Sequence, residues 1–126
     1  MEGMERNYRV SDSEMEVMKM LWRQKEGIKQ SQLLDLFTKE GKEWKRQTLN
    51  TFLSRLETKG LVIRERGLVR AAVEEEEYNF SQAQNAIDNM YGGKLSNFVA
   101  AFIRRNAVNK EDLEELNVYL TELENK

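Results

Sequence analysis

The residues best suited to chemistry lie on one face of a single segment, residues 45–59. Apolar residues at positions i, i+3, i+4 and i+7 predict that this segment is a helix with one buried face, formed by Leu49, Phe52, Leu53 and Leu56. Whereas a merely charged surface would be rich in Glu and Lys, the opposite face is rich in amides, hydroxyls and arginine. Such groups both donate and accept at base edges in the DNA major groove. The predicted DNA contacts on this helix are Lys45, Arg46, Gln47, Thr48, Asn50, Thr51, Ser54 and Arg55.

That face has a simpler interpretation as a solvated helix surface. In this alternative, Arg55 pairs with a carboxylate inside the domain instead of contacting DNA.

Three further basic residues follow the helix, which the sequence predicts to end at Gly60. The apolar stretch 61–63 and the later stretch 73–80 predict a β-hairpin over residues 61–80, with its turn at Gly67 and a return strand from Val73 to Phe80. The arginines near the tip are predicted to follow the DNA phosphate backbone; they are Arg64, Arg66 and Arg70.

The four glutamates at 74–77 fall in the predicted return strand. Cross-strand pairing of the three arginines with these glutamates is the alternative to phosphate contact. The glutamates are also expected to form a solvated strand edge that discourages further strands from adding.

Missing residue types exclude several kinds of site. The chain has no Cys and no His, which excludes disulfides, zinc fingers, thiol nucleophiles and histidine-based catalysis. No spacing of the carboxylates singles out a catalytic pair. The sequence therefore predicts a protein that is not an enzyme and that needs no metal and no cofactor.

Composition and charge indicate a globular chain with two roles. The chain has 126 residues, 40 % of them hydrophobic and 33 % charged, which suits one ordinary domain or two small ones. Its net charge of −2 divides into +4 over residues 1–70 and −6 over residues 71–126, which favours a polyanion partner for the first part. No segment is apolar and long enough for a membrane span, and residues 1–10 do not read as a signal peptide. We therefore expect a soluble, cytoplasmic protein with no membrane partner.

The remaining elements must position the polar helix. Two helices are predicted before it, over residues 11–24 with Ser11 or Ser13 as the cap, and over about 31–39. Two more are predicted after the hairpin, over 81–105 with an interruption at Gly92 and Gly93, and over 109–124. This order predicts a mainly α protein with a small β-hairpin. It comprises a winged helix-turn-helix DNA-binding domain over 1–80 and a helical dimerisation domain over 81–126.

The last two helices carry apolar stripes at helical spacing. Two amphipathic helices enclose little interior, so an unfilled apolar face of this size indicates an interface; the alternative is packing onto the first domain. The predicted dimerisation residues are Leu95, Phe98, Val99, Phe102, Leu113, Leu116, Leu120 and Leu123. Trp22 and Trp44 are predicted to pack in the core instead of stacking on bases.

Two segments resemble a known family, and a third does so more loosely. The segments SDSEMEVMKMLW (11–22), WKRQTLNTFLSRLETKGL (44–61) and KEDLEELNVYL (110–120) are similar to the penicillinase-repressor (BlaI/MecI/CopY) family of winged-helix transcriptional repressors. The family pattern for the recognition helix matches Trp44, Thr48, Leu49, Thr51, Phe52, Leu53, Arg55, Leu56, Lys59 and Gly60. The resemblance implies a homodimer that binds a pseudo-palindromic operator on double-stranded DNA and represses transcription.

The resemblance also bears on how repression would be lifted. Lys45-Arg46 stand where many members have Ser-Pro, and the copper-responsive branch's Cys-x-Cys pair has no counterpart in a chain without cysteine. In the β-lactam-responsive branch a cut at an Asn-Phe bond inactivates the repressor. The matching position is Ala101-Phe102, which makes a sensor protease a candidate partner. Because alanine replaces asparagine there, a non-proteolytic signal is the favoured alternative.

A different class of function stays open at this point. The chain could be a helical protein–protein adaptor whose winged-helix half docks on a protein partner. Salt dependence separates the two interpretations, because counterion release makes DNA affinity fall steeply with salt.

Overall fold

A computed structural model describes residues 9–126. The described chain divides into two compact units, one ending at Gln82 and the other running from Ala83 to Lys126. Residues 1–8, which belong to the predicted first domain and to the segment that does not read as a signal peptide, lie outside the described residues.

Three helices form most of the first unit: α1 (Asp12–Arg23), α2 (Gln30–Lys39) and α3 (Arg46–Thr58). Helix α1 begins with a capping box at Ser11. The Ser11 hydroxyl accepts from the Glu14 N–H at 3.1 Å, and the Glu14 carboxylate accepts from the Ser11 N–H at 3.4 Å. These caps satisfy backbone donors that the first helical turn leaves free. The three helices begin and end within two residues of their predicted limits.

The core of this unit is built from the apolar faces of the three helices. Leu49, Leu53 and Leu56 of α3 are fully buried, as their spacing predicts. They pack with residues of α1 and α2, among them Val17, Met18, Leu21, Leu33 and Phe37. The polar face of α3 is therefore left on the outside.

Both tryptophans pack against this core, as predicted. The Trp44 ring lies between Phe37 and Phe52, with ring centroids 4.6 and 5.0 Å away. The Trp22 indole N–H donates to the Val73 carbonyl at 2.9 Å. This bond satisfies the indole's one polar group while its ring stays partly buried.

A three-stranded antiparallel sheet completes the unit, in the order β1-β3-β2. The strands are β1 (Ile28–Lys29), β2 (Val62–Glu65) and β3 (Leu68–Ala71). Arg66 and Gly67 join β2 to β3 with φ values of 55° and 75°. Two consecutive residues with positive φ are typical of a type I′ turn, which matches the twist of a two-residue hairpin. The hairpin of the predicted winged helix is therefore present, although it is shorter than predicted.

The prediction of a return strand from Val73 to Phe80 is wrong. Helix α4 (Glu75–Met90) occupies most of that stretch, with Glu75, Glu76 and Glu77 in its first turn. Acidic side chains there are stabilised by the positive end of the helix dipole. The glutamates thus do not form a strand edge, and they do not pair across strands with the arginines. The predicted domain limit between Phe80 and Ser81 falls inside α4.

The second unit contains the end of α4 together with α5 (Leu95–Arg104) and α6 (Lys110–Glu124). Gly92 and Gly93, at φ values of 62° and 77°, interrupt the helices where the sequence predicted a break. Asn109 caps α6, accepting from the Asp112 N–H at 2.8 Å. No residue of α5 or α6 is buried. Within residues 9–126, no helix is long and apolar enough to cross a membrane.

Candidate nucleic-acid interface

The outer face of α3 offers the polar groups that the sequence predicts. Arg46, Gln47, Asn50, Thr51 and Arg55 are exposed. Thr48 and Ser54 are half-buried, and Lys45 is exposed at the N-cap of the helix. Because the leucines hold the opposite face in the core, this face is open to a ligand.

Two residues near the middle of that face are free to contact a partner. The Thr51 hydroxyl donates to the Gln47 carbonyl at 3.0 Å, which leaves its oxygen lone pairs to accept from outside. The Arg55 side chain makes no hydrogen bond or ion pair with any of residues 9–126. No carboxylate among the described residues forms an ion pair with Arg55, so the structure does not support the alternative of a pair inside the domain.

Arg64 is placed differently from the sequence expectation. Its guanidinium turns towards α3 and donates to Asn50 Oδ1 at 2.8 Å, to Ser54 Oγ at 2.9 Å and to Glu57 Oε1 at 2.9 Å. Glu57 was missed by the sequence analysis. The only signal for it was its spacing, three residues after Ser54 and seven after Asn50, which puts all three acceptors on the flank of α3 that faces β2.

The other two arginines lie along the hairpin. Arg66 is exposed at its tip and has no partner among the described residues. Arg70 is exposed on β3 and lies 3.6 Å from the Glu65 carboxylate on β2. A surface pair of this kind contributes little to stability. The cross-strand partner of Arg70 is thus Glu65, and the glutamates at 74–77 have no part in it.

The beginnings of α2 and α3 and the tip of the hairpin line one open groove. Neither helix has an acidic residue in its first turn, whereas α1, α4 and α6 all do. Both N-cap residues are lysines, Lys29 and Lys45, and neither caps its helix through its side chain. Positive side chains at the positive end of a helix dipole are unfavourable unless an anion binds there. This groove is therefore suited to the phosphates of a nucleic acid, and Lys29 is a candidate phosphate ligand that the sequence analysis missed.

Replacing Lys45 with serine tests this electrostatic interpretation. We expect Lys45→Ser to raise the free energy of unfolding by about 1 kcal/mol, because serine is a good N-cap. We also expect it to weaken binding to DNA of any sequence. The salt slope, which is the steepness of the fall in log binding constant with log salt concentration, should decrease by about one. Thermal unfolding and salt titrations on random-sequence DNA measure the two effects. Lys25→Ser, the same change in the loop after α1, is the control, and an equal salt slope for both variants would contradict the assignment.

One buried ion pair holds the start of α1 to the end of α3. The Glu14 side chain is 3 % exposed, and its Oε1 atom lies 2.5 Å from Lys59 Nζ. Burial raises the pKa of the Glu14 carboxyl, but hydrogen bonds from Lys59 and Ser11 and the lysine charge outweigh it and hold that pKa below 4.5. Both residues stand in the family-like segments, and the sequence analysis gave neither of them this role.

The predicted dimerisation residues all lie on α5 and α6. Leu95, Phe102, Leu113, Leu120 and Leu123 are exposed. Phe98, Val99 and Leu116 are half-buried. The Phe98 ring packs between Tyr91 and Phe102, with centroids 5.4 and 4.8 Å away. The Ala101-Phe102 bond lies inside α5.

Comparison with known proteins gives consistent matches along nearly the whole chain. The family model described as Penicillinase repressor matches residues 10–122. The methicillin resistance regulatory protein MecI of Staphylococcus aureus (strain N315) is 25 % identical over 115 residues, which cover 88 % of this chain and 92 % of MecI. The penicillinase repressor of Bacillus licheniformis is 26 % identical over 121 residues, which cover 93 % of each chain. The penicillinase repressor of Staphylococcus aureus is 22 % identical over 121 residues, which cover 93 % of this chain and 94 % of that protein.

Proposed function

Because this chain belongs to the penicillinase repressor family and is a transcriptional repressor rather than an enzyme, we propose that it acts by binding a pseudo-palindromic DNA operator as a homodimer. The observation that carries this proposal is the open polar face of α3 beside two helix N-termini that carry lysine and no acid. Occupying the promoter is enough to block transcription, so the function needs no cofactor. We place the protein in the cytoplasm, with the DNA it regulates.

In this proposal α3 enters the major groove and its side chains divide into two sets. Base edges are read from the outer face of the helix, by Gln47, Thr48, Asn50, Thr51, Ser54 and Arg55. Phosphates are held from the rim, by Lys29, Lys45, Arg46, Arg66 and Arg70. The residues at the rim supply the affinity common to all sequences, and those on the face supply the choice of operator.

The second unit supplies the dimer in this proposal. Helices α5 and α6 have no buried residue in the single chain, so burying their stripes against a second copy removes apolar surface from water. Two recognition helices would then read half-sites roughly 34 Å apart, one turn of DNA.

Control of repression would also act through the second unit. A sensor protease that cuts at Ala101-Phe102 would detach α6 from the DNA-binding unit, but α5 would first have to open locally. Since the family's asparagine is replaced by Ala101, we favour a non-proteolytic signal. The mass of the chain recovered from derepressed cells distinguishes the two, because only cleavage yields fragments.

Two substitutions on α3 test the recognition assignment. We expect Thr51→Ala and Arg55→Ala each to weaken operator binding by about 1–3 kcal/mol, because each removes a hydrogen bond to one base of the operator. Both side chains are exposed, so the melting temperature should stay the same. Fluorescence anisotropy with a genomic fragment selected by the protein, and with a scrambled copy of it, measures the specific effect.

Thr58→Ala is the matched control for this test. The Thr58 hydroxyl donates to the Ser54 carbonyl at 3.0 Å, just as the Thr51 hydroxyl donates to the Gln47 carbonyl. Thr58 lies at the C-terminal end of α3, however, whereas recognition helices contact base edges through their N-terminal residues. Unchanged operator affinity in both test variants would contradict the recognition assignment. Failure of the native protein to bind DNA at low salt would instead favour the protein-docking adaptor.

A further inference from the structure

The hydrogen bonds of Arg64 suggest a role in choosing the base that α3 reads. We propose that Arg64 is a positioning residue that makes Asn50 and Ser54 present hydrogen-bond donors to the DNA and thereby favours guanine at one operator position. This inference rests on the proposed function and assigns a specificity determinant to it.

The guanidinium of Arg64 forms a fork that spans one flank of α3. It bonds three side chains that lie on successive turns of the helix, at distances of 2.8–2.9 Å. A guanidinium group only donates, so each of these bonds takes up one lone pair of an acceptor oxygen. The planar fork also fixes the direction of its bonds, which restricts the rotation of the side chains it holds.

The occupied acceptors decide what Asn50 and Ser54 can offer to a ligand. With Asn50 Oδ1 bound to Arg64, the Asn50 amide group Nδ2 keeps two protons with no partner among the described residues. Ser54 Oγ likewise accepts from Arg64, which leaves its own proton free to be donated. This flank of α3 therefore presents donors.

A donor-rich surface distinguishes between the two purines. Guanine shows two acceptors in the major groove, N7 and O6, whereas adenine shows the N7 acceptor beside the N6 amino donor. An asparagine reads adenine by accepting and donating together. Because Arg64 engages the accepting oxygen of Asn50, the pairing with guanine is favoured over the pairing with adenine.

The charge of Arg64 is balanced within the domain, in contrast to that of a phosphate ligand. The Arg64 and Glu57 side chains form an ion pair and are 24 % and 42 % exposed. Arg66, two residues later at the hairpin tip, has no such partner among the described residues. Arg66 is thus the better phosphate ligand, and the task of Arg64 is to hold α3 side chains.

The experiment compares base preferences in the native protein, in a double variant of the same net charge and in a single-substitution control. Glu57→Gln/Arg64→Met removes one charge of each sign, and Glu57→Gln alone keeps the bonds from Arg64 to Asn50 and Ser54. Sites are selected from random DNA by the native protein, and relative affinities are then measured for all four bases at each position. We expect the double variant to lose at least about fivefold in its preference for guanine over adenine at one position, and the control to keep that preference. The salt slope of the double variant should equal that of the native protein.

A second variant keeps the test independent of the stability of the hairpin. Asn50→Asp retains an acceptor for Arg64 but has no outward donor, so it should lose the preference for guanine at the same position. Thr51→Ala, which changes a residue that Arg64 does not touch, should alter a different position.

Two results would overturn the inference and leave the proposed function intact. One is an undiminished preference for guanine in the double variant, and a salt slope lower by about one in the same variant would identify Arg64 as a phosphate ligand instead. The other is an undiminished preference in Asn50→Asp. A native protein without any sequence preference would overturn the proposed function, and this inference with it.

Discussion

We expect the full-length chain carrying Leu120→Glu and Leu123→Glu to sediment as a monomer and to bind its operator at least about 100-fold more weakly than the native protein. These leucines are 48 % and 64 % exposed, so the substitutions open no cavity in the single chain. In the proposed dimer the new carboxylates would be buried without a partner, which is strongly unfavourable. Loss of the dimer removes bivalent binding, and with it most of the affinity. Sedimentation velocity and operator titrations measure the two effects.

Val118→Glu is the matched control, because Val118 is 56 % exposed and lies on the opposite side of α6 from the leucine stripe. It adds the same charge to the same helix and should leave both the mass and the affinity unchanged. A double variant that still sediments as a dimer would show that the interface lies elsewhere.

We expect Lys59→Met to lower the free energy of unfolding at pH 7 by about 3 kcal/mol. Removing one member of a buried ion pair leaves an uncompensated charge, here on Glu14, and typical losses are about 3–5 kcal/mol. We expect a loss at the low end of this range because the Lys59 side chain is 30 % exposed. Urea denaturation followed by circular dichroism measures the change. Lys42→Met is the control, because its ion pair with Glu16 is more exposed at the carboxylate, and we expect a loss of no more than about 1 kcal/mol.

The same ion pair predicts a dependence on pH. The pKa of Glu14 in the folded native protein lies below its ordinary value of 4.5. The pair therefore stabilises the fold above that pH, and this contribution is lost as the pH falls through the folded-state pKa. Without Lys59, burial raises the pKa of the carboxyl, so acid protonates it in the folded state. The stability difference between native protein and variant should thus narrow as the pH falls through 4.5, starting above that value, where the variant's carboxyl is protonated, and ending below it, where the native carboxyl is protonated. A constant difference from pH 7 to pH 3 would contradict this account.

Three local irregularities surround the groove between α2, α3 and the hairpin tip. Lysines stand at two N-caps that favour serine or aspartate, and Arg66 adopts a φ of 55°, where asparagine and glycine are preferred. Each choice costs stability in the isolated domain, and each brings a positive charge to the same surface. Departures from local preference that coincide in this way are expected at functional sites.

The sequence alone determined the elements whose signal is local and strong. Leu49, Leu53 and Leu56 could be assigned to the core of the first unit because a period of 3.6 residues fixes which side chains share a face. Asn109 marked one helix start and the pair Ser11 or Ser13 marked another, because a cap bonds to the backbone within three residues; the structure selects Ser11. The residue pattern of 11–22 and 44–61 was enough to indicate the family, and the family model matched residues 10–122.

Only the tertiary structure decided where those elements place their polar groups. Residues 73–80 carry only a weak strand pattern, since four of them are consecutive glutamates; the chain leaves the sheet at Ala71, and most of the glutamates lie in the first turn of a helix instead. Arg64 could have faced solvent, and the approach of β2 to α3 turns it onto Asn50, Ser54 and Glu57. Glu14 meets Lys59 across 45 residues, a separation that no local pattern encodes. Periodicity and caps depend on neighbours in the chain, whereas ion pairs and hydrogen bonds between elements exist only once packing has fixed their distances.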